Sequence, residues 1–200
     1  RRAKGNPVTM LLLAGVMIGS LFSACTSYVK LVADPTNQLP AITYWLMGSL
    51  AGANWGNIAV ILPLVILCVF FFITQYRVLN LMLLGDEVSI TLATDLHKYR
   101  NFYLLVTSLM IGFIVYASGM IGFVGLIIPH VVRILVGTDH KKLIPISCLM
   151  GAILLVWADV LCRVMIKGTE LPIGILISMI GAPCFIYLMA KKSYGFGGKD

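Results

Sequence analysis

The sequence predicts an all-α polytopic membrane protein with about six transmembrane helices and short additional helices on both sides of the membrane. Of its 200 residues, 60% are hydrophobic and only 12% are charged, and the mean hydropathy is +0.97. Several apolar segments reach the roughly 20 residues that a helix needs to cross a bilayer. These segments are continuous and show no alternation with a period of two, so they favour helices over a membrane β-barrel.

Six membrane spans are predicted from the apolar segments. The apolar block over residues 102–136 is too long for one crossing, and Ser118, Gly119 and Met120 are predicted to form the turn that divides it. The six spans cover approximately residues 7–32, 57–74, 102–117, 121–136, 143–166 and 173–190.

The distribution of Lys and Arg predicts the orientation of these spans. With six crossings, twelve of the fifteen basic residues fall on one side, together with both ends of the sequence. Because Lys and Arg are enriched in short cytoplasmic loops, this side and both termini are predicted to be cytoplasmic. The net charge of +7 is therefore a topological signal, and a nucleic-acid partner is not expected. The basic residues on the other side are Lys30, Arg163 and Lys167.

Residues 39–56 are apolar but too short and too rich in glycine for a crossing. Gly48, Gly52 and Gly56 recur at intervals of four, a spacing that lets backbones approach closely. A short re-entrant or surface helix on the outer side is predicted here.

The longest predicted cytoplasmic loop covers residues 84–100. Asp86 and Glu87 lie where they would favour the N-terminus of a helix. A small amphipathic helix is predicted, and its apolar stripe needs a covering surface, either the span ends of this protein or a separate subunit. The stripe consists of Leu84, Val88 and Leu92.

Pro129, His130 and Arg133 interrupt the fourth span close to its cytoplasmic end. Proline removes a backbone hydrogen bond and kinks or ends a helix, and arginine can extend to the membrane interface. The group therefore indicates either the end of a helix or a surface that docks a cytoplasmic partner, and the residue types do not separate the two.

Asp159 and Arg163 share one face of the fifth span near its outer end. Their spacing of four favours a local ion pair, and an outward-facing site for an acidic partner or substrate is the alternative. In the first span, Gly15 and Gly19 precede Ser23 on a face of small and polar residues. This face indicates close helix packing or the lining of a translocation path.

The sequence contains none of the patterns expected of an enzyme. It has no phosphate-binding G-x-x-x-x-G-K-[ST] motif, no H-E-x-x-H motif and no convincing nucleophile–base pair, so no catalytic residue is predicted. The three histidines lie in different loops or span ends, and the five cysteines are scattered singly, so no metal site is predicted.

Several separate stretches resemble the permease subunits of ATP-binding-cassette importers for iron–siderophore complexes, haem and vitamin B12. They are YWLMGSLAGANW, LNLMLLGDEV, GFVGLIIPHVVRILVGTDHKKLIPISCLMGAILLVWADVLCR and ELPIGILISMIGAPCFIYLM, in this order. The resemblance covers nearly the whole chain. It implies one transmembrane permease domain over residues 1–200 that corresponds to the C-terminal six of about ten spans, with a short outer helix and a cytoplasmic coupling helix.

The resemblance also implies partners. A second permease copy would form the substrate path with this one, two ATPase subunits would dock on the cytoplasmic side, and an extracytoplasmic binding protein would deliver a ferric chelate. No cofactor is expected on this chain, because ATP would be used by the partner subunit. The ATPase-coupling residues are expected to be Leu84, Gly85, Asp86, Glu87, Val88, Leu92 and Ala93.

Other roles follow from the same resemblance. Arg163 matches a position that pairs with a glutamate of the binding protein, and the span with Gly15, Gly19 and Ser23 resembles the helix that gates the path. The expected function is import of iron–siderophore complexes across the inner or plasma membrane by alternating access. The alternatives are import of vitamin B12 or haem, an ion-coupled secondary transporter with its own midplane acid, and a membrane scaffold without transport activity.

Overall fold

The computed structural model describes residues 7–83, 96–165 and 171–193, which form α-helices and connecting turns without a strand among them. This confirms the predicted all-α class. The helices are α1 (Pro7–Val32), α2 (Gln38–Met47), α3 (Trp55–Thr74), α4 (Tyr76–Leu83), α5 (Leu96–Ser118), α6 (Val124–Val136), α7 (His140–Met165) and α8 (Ile173–Ser193).

A helix coincides with each of the six predicted spans, and four of these helices are long and apolar enough to cross a membrane. These four are found within Thr9–Val32, Trp55–Thr74, Lys98–Ser118 and His140–Met165, whereas the apolar helices Val124–Val136 and Ile173–Leu188 are shorter. The third segment begins earlier than predicted, at Leu96 instead of residue 102. Lys and Arg favour helical backbone and can extend their charges to the interface, so a charged stretch continues the helix beyond its apolar part.

The chain divides into two compact units, residues 1–44 and 45–200, with the boundary inside α2. In the first unit, most side chains of α1 are exposed. Three of its hydroxyl groups, those of Ser20, Thr26 and Ser27, donate to carbonyl oxygens one turn earlier, at 2.8–2.9 Å. These three groups are thereby paired within the helix, as an apolar environment requires.

In the second unit, α3, α5, α6, α7 and α8 alternate in direction, and α7 packs against α3, α4, α6 and α8. We call the end of this unit that holds α4 and the start of α7 the Asn80 end, and the opposite end, with the turn between α5 and α6, the Gly119 end. Two buried clusters hold α7 in place. Near the Gly119 end the members are Ala158, Cys162, Ile173, Leu176 and Ile177, and near the Asn80 end they are Ile128, Val132 and Leu143.

The predicted turn at residues 118–120 is present, and it is built on a glycine. Gly119 has a φ of 70°, a conformation that residues with a Cβ rarely adopt. The turn is paired with the residues after α2, where Gly48 also has a positive φ of 74° and Ser49 N donates to Ser118 O at 2.9 Å. A Cβ on Gly48 would lie 2.5 Å from Met120 O, so the two backbones touch directly.

The start of α8 completes this junction of backbones. Gly174 N donates to Gly48 O at 3.4 Å, and a Cβ on Gly174 would overlap Met47 O. The spacing of glycines in residues 39–56 therefore predicted a close approach correctly at Gly48. A Cβ on Gly52, in contrast, would meet no atom within 4 Å.

Candidate functional site

The seven residues predicted to contact an ATPase lie outside the described residues. They are Leu84, Gly85, Asp86, Glu87, Val88, Leu92 and Ala93. The described chain reaches this segment through α4, whose last residue is Leu83, and resumes at Leu96.

One residue of α4, Asn80, joins that helix to the start of α7. Its Nδ2 donates to Asp139 Oδ1 at 2.8 Å, and its Oδ1 accepts from the backbone N–H of His140 at 2.9 Å. The Nδ1 of His140 lies 2.7 Å from the same Oδ1. Because an amide oxygen only accepts hydrogen bonds, Nδ1 carries the proton of the imidazole. We call the side chains of Asn80 and Asp139, with the backbone N–H and ring of His140, the Asn80 clamp.

Asp139 also caps α7. Its Oδ1 accepts from Lys141 N at 3.1 Å, and its carbonyl oxygen accepts from Lys142 N and Leu143 N at 3.1 and 2.9 Å. A carboxylate at this position satisfies free N–H groups of the first turn and interacts favourably with the helix dipole. The hydrogen bond from Asn80, followed by that from Lys141 N, holds the pKa of Asp139 below its usual value.

A second contact joins the same two helices one turn earlier in α4. The ring of Tyr76 has the Nζ of Lys141 5.7 Å from its centroid, a cation–π distance. Arg77 Nε donates to the Tyr76 hydroxyl at 3.0 Å, which lowers the pKa of Tyr76. Tyr76 and Asn80 are four residues apart, so they lie on one face of α4.

The Gly119 end of α7 carries the predicted pair Asp159 and Arg163. Arg163 Nε donates to Asp159 Oδ2 at 2.7 Å, and the side chains are 50% and 24% exposed for Arg163 and Asp159 respectively. The predicted local ion pair is therefore present. Half of the Arg163 side chain is exposed to solvent. An ion pair with this exposure contributes at most about 1 kcal/mol to stability.

Pro129, His130 and Arg133 all lie inside α6. Pro129 does not end this helix, which continues to Val136 and is capped by Gly137, whose N–H donates to Arg133 O at 3.0 Å. Arg133 is exposed in the last turn of α6, at the Asn80 end. The helix therefore ends at Val136, with the last residue of the predicted fourth span, and not at Pro129.

The predicted gate residues lie in the first unit, on α1. A Cβ added to Gly15 or Gly19 would meet no atom within 4 Å, and the Ser23 side chain is exposed. Their surface is open along this face of α1.

An open groove of about 790 Å³ lies between α3 and α5, lined mainly by apolar side chains such as Leu105, Leu109 and Phe113. Asn57 and Ser108 are polar groups in this lining. A lining of this kind matches lipid chains or another helix better than the hydrated surface of a polar chelate. Elsewhere in residues 7–83, 96–165 and 171–193, no three His, Cys, Asp or Glu side chains come together as ligands for a metal ion.

The FecCD transport family matches residues 1–191 of this chain. The chain belongs to the FecCD transport family. Similar FecCD proteins include the cobalamin import permease BtuC of Halobacterium salinarum, 40% identical over 94% of this chain, and the iron(3+)-hydroxamate import permease FhuG of Bacillus subtilis, 39% identical over 95%. The hemin transport permease HmuU of Yersinia pestis is 37% identical over 96%. The chain covers 50%, 56% and 57% of these three proteins, so it spans about half of their length.

A solved structure of a metal-chelate type ABC transporter in an inward-facing conformation has the same fold as this FecCD chain. The TM-score is 0.86 at 36% identity, over 92% of this chain and 59% of the other. The resemblance that the motifs indicated is therefore confirmed at the level of the family.

Sequence reasoning missed the Asn80 clamp of this FecCD chain. No structural role was predicted for Asp139. An aspartate directly before a new apolar segment is a typical N-cap, and this signal was sufficient to predict the start of α7 at His140. The contribution of Asn80 has no local signal, because its partners lie 59 and 60 residues further along the chain.

Proposed function

We propose that this protein is the membrane-spanning permease subunit of an ATP-driven importer of iron–siderophore complexes, working by alternating access. The observation that carries the proposal is the family match over residues 1–191, in a chain whose helices include four of membrane-spanning length and composition. The relatives named above are permeases for iron(3+)-hydroxamate, hemin and cobalamin. Haem or vitamin B12 is therefore the alternative cargo within the same function.

The distribution of charge supports an orientation with the Asn80 end in the cytoplasm. Because basic residues are retained on the cytoplasmic side, this end would face the ATPase and the Gly119 end would face the binding protein. Both ends of the sequence are then cytoplasmic, in the plasma or inner membrane. Described basic residues of the second unit lie at the Asn80 end at Arg77, Lys98, Arg100, Arg133, Lys141 and Lys142, whereas Arg163 lies at the other end.

In the proposed mechanism, residues 84–93 receive the movement of two ATPase subunits that close on ATP. The movement reorients the helices, and the open face of α1 with Gly15, Gly19 and Ser23 lines a path shared with a second permease copy. Arg163 contacts an acidic residue of the binding protein at the outer mouth. The energy is supplied in trans, since this sequence has no phosphate-binding loop.

An ion-coupled transporter would need an acidic residue within the membrane. Acidic side chains of the described chain are Asp34, Asp139 and Asp159. The first two lie outside the long apolar helices, and Asp159 is paired with Arg163 near the end of α7. The described residues thus favour an external energy source.

Uptake into proteoliposomes tests the proposal. The protein would be reconstituted with the ATPase and the binding protein of its importer, and uptake of a ferric siderophore, hemin and cobalamin would be compared with and without ATP. We expect ATP-dependent uptake of the siderophore complex and no effect of a proton or sodium gradient. Uptake that follows an ion gradient without ATP would refute the proposal, and ATP-driven uptake of only hemin or cobalamin would change the cargo.

Two variants test the assigned ends separately. Reversing both charges with Asp86→Lys and Glu87→Lys is expected to abolish co-purification of the ATPase, and Arg163→Glu is expected to weaken only the contact with the binding protein. A single cysteine introduced at Asp86 should resist an impermeant thiol reagent in intact cells. Rapid labelling from outside would show that the orientation is inverted.

A further inference from the structure

The Asn80 clamp uses both the nitrogen and the oxygen of one side-chain amide. The nitrogen donates to a carboxylate, and the oxygen accepts from the N–H of His140 while the ring Nδ1–H also points at it. Hydrogen bonds to a charged group are stronger than neutral ones, and this bond has a length of 2.8 Å. An aspartate of the same length lacks the donor, and a leucine lacks both the donor and the acceptor.

The clamp fixes a helix that has little stability of its own. α4 contains only eight residues, and isolated helices of this length are not stable in water. Its position therefore depends on its contacts with α3 and α7. Asn80 and Tyr76 supply the polar contacts to α7, through Asp139, His140 and Lys141.

The helix on the other side of the clamp is rigid and long. α7 has 26 residues, so it extends over about 39 Å at 1.5 Å per residue. It is packed along its length against α3, α6 and α8, and its far end carries Asp159 and Arg163. A displacement applied to the start of such a helix reaches its other end, because packed helices move as rigid bodies.

Leu83, where the described chain enters residues 84–95, lies three positions after Asn80. A force applied to that segment acts directly on α4 at one end and on α5 at the other. Without the clamp, α4 would keep only the Tyr76–Lys141 contact and its packing on α3 and α7, and part of the movement would be lost between α4 and α7.

We propose that the Asn80 clamp joins α4 and α7 into one mechanical unit and that Asn80 is a positioning residue for coupled transport. The proposal rests on the proposed function, because it assigns the clamp to the transmission of ATPase movement. Asn80 touches neither nucleotide nor cargo in this assignment. It acts through Asp139 and His140, and its loss uncouples ATP hydrolysis from uptake.

An exchange of the two partners tests the clamp. Asn80→Asp faces the carboxylate of Asp139 with a second carboxylate, and both repulsion and the lost donor open the contact. Adding Asp139→Asn restores one amide and one carboxylate with their positions exchanged. The amide at position 139 then donates to the carboxylate at position 80, which still accepts from His140 N. Because Oδ1 of Asp139 accepts from both Asn80 Nδ2 and Lys141 N, the exchanged pair keeps the bond across the clamp and gives up the one from Lys141 N.

The readout is the amount of cargo taken up per ATP hydrolysed by the assembled transporter in proteoliposomes. We expect Asn80→Asp to lower this ratio by about tenfold with ATP hydrolysis retained, and the exchanged pair to recover it to within about twofold of the parent, a size typical of coupled contact pairs. Gln75→Glu is the matched control, since it makes the same change one turn and a half earlier. It keeps the oxygen that accepts from the Tyr103 hydroxyl at 3.2 Å, so its ratio should remain that of the parent.

Each outcome decides the proposal. An unchanged ratio in Asn80→Asp overturns it, and so does an exchanged pair that is as uncoupled as the single variant. If Asn80→Asp fails to assemble, recovery of assembly and of the parental ratio by the exchanged pair supports the clamp, and failure of the pair overturns it. If the parent itself shows no ATP-driven uptake, both the proposed function and this inference are refuted. If the parent shows ATP-driven uptake and Asn80→Asp leaves the ratio of uptake to ATP hydrolysis unchanged, only this inference is refuted.

Discussion

Replacing Gly119 by alanine should destabilise the protein by two separate effects. The φ of 70° disfavours any residue with a Cβ by roughly 1–2 kcal/mol. The new Cβ would also overlap Trp45 O and approach the Gly48 Cα to 3.0 Å, and forced backbone shifts of this kind cost about 1–3 kcal/mol. The sum is roughly 2–5 kcal/mol, and at about 2–4 °C per kcal/mol the melting temperature should fall by about 4–20 °C.

Reaction of buried thiols with a fluorogenic maleimide during heating measures this change in detergent. Cys68 and Cys162 are buried and become reactive on unfolding, whereas Cys25, Cys148 and Cys184 are exposed and would be replaced by alanine in the parent to remove their background. The signal then reports the loss of packing in the second unit, to which Gly119 also belongs.

Gly112→Ala is the control for Gly119→Ala because it makes the same chemical change inside α5, the helix that ends directly before Gly119. Its Cβ would meet no atom within 4 Å, and alanine in a helix interior is favoured over glycine by about 0.5–1 kcal/mol. We expect this variant to melt at or slightly above the parent. Equal melting temperatures for Gly119→Ala and the parent would refute the direct contact of backbones at the Gly119 end.

Other contacts in the structure predict smaller or conditional effects. Val132 is fully buried, so Val132→Ala should lower stability by about 2 kcal/mol, whereas Ile134→Ala, at a side chain 69% exposed, should have little effect in the same assay. Asn54 caps α3 by accepting from Asn57 N at 2.8 Å, and Asn54→Ala should cost about 1 kcal/mol while Asn54→Ser should not. The pKa of Asp139 is lowered in the folded state, so its contribution is present above the ordinary carboxyl value of 3.8 and is lost as pH falls through the folded pKa. The melting difference between the parent and Asp139→Ala should therefore shrink as the pH falls below 3.8.

The features that the sequence predicted correctly are those that depend on neighbours in the chain. Each apolar segment became a helix because its own hydropathy determines burial in lipid, and the turn at Gly119 followed from a block too long for one crossing. The ion pair of Asp159 and Arg163 followed from a spacing of four on one helix. The early start of α5 at Leu96 was missed, since hydropathy marks where the membrane begins and not where the helical backbone begins.

The contacts that bring distant segments together had no such signal. Gly174 packs on Met47, and Asn80 bonds to Asp139 and His140, across intervals of more than 50 residues in each case. A glycine or an asparagine has the same local appearance whether or not a backbone or a helix start lies against it. Close backbone packing at glycine and side-chain hydrogen bonds between helices fix the positions of helices in a membrane. Hydrophobic burial provides little specificity there, because lipid is as apolar as the helix surfaces themselves.

The sequence predicted the Asp159–Arg163 pair but not the Asn80 clamp, and the way each end of α7 is built explains the difference. Its Arg163 end is defined by residues within one turn of each other, so spacing alone revealed the pair. Its other end depends on an amide supplied by α4, and only the folded chain shows that the two sites share one helix. If α7 transmits movement, disturbing the clamp at one end should change the contact with the binding protein that we propose for Arg163 at the other. If the two ends of the helix act independently, that change will be absent. The affinity of the binding protein for the Asn80→Asp variant, compared with its affinity for the parent in the presence of ATP, therefore tests whether α7 transmits movement.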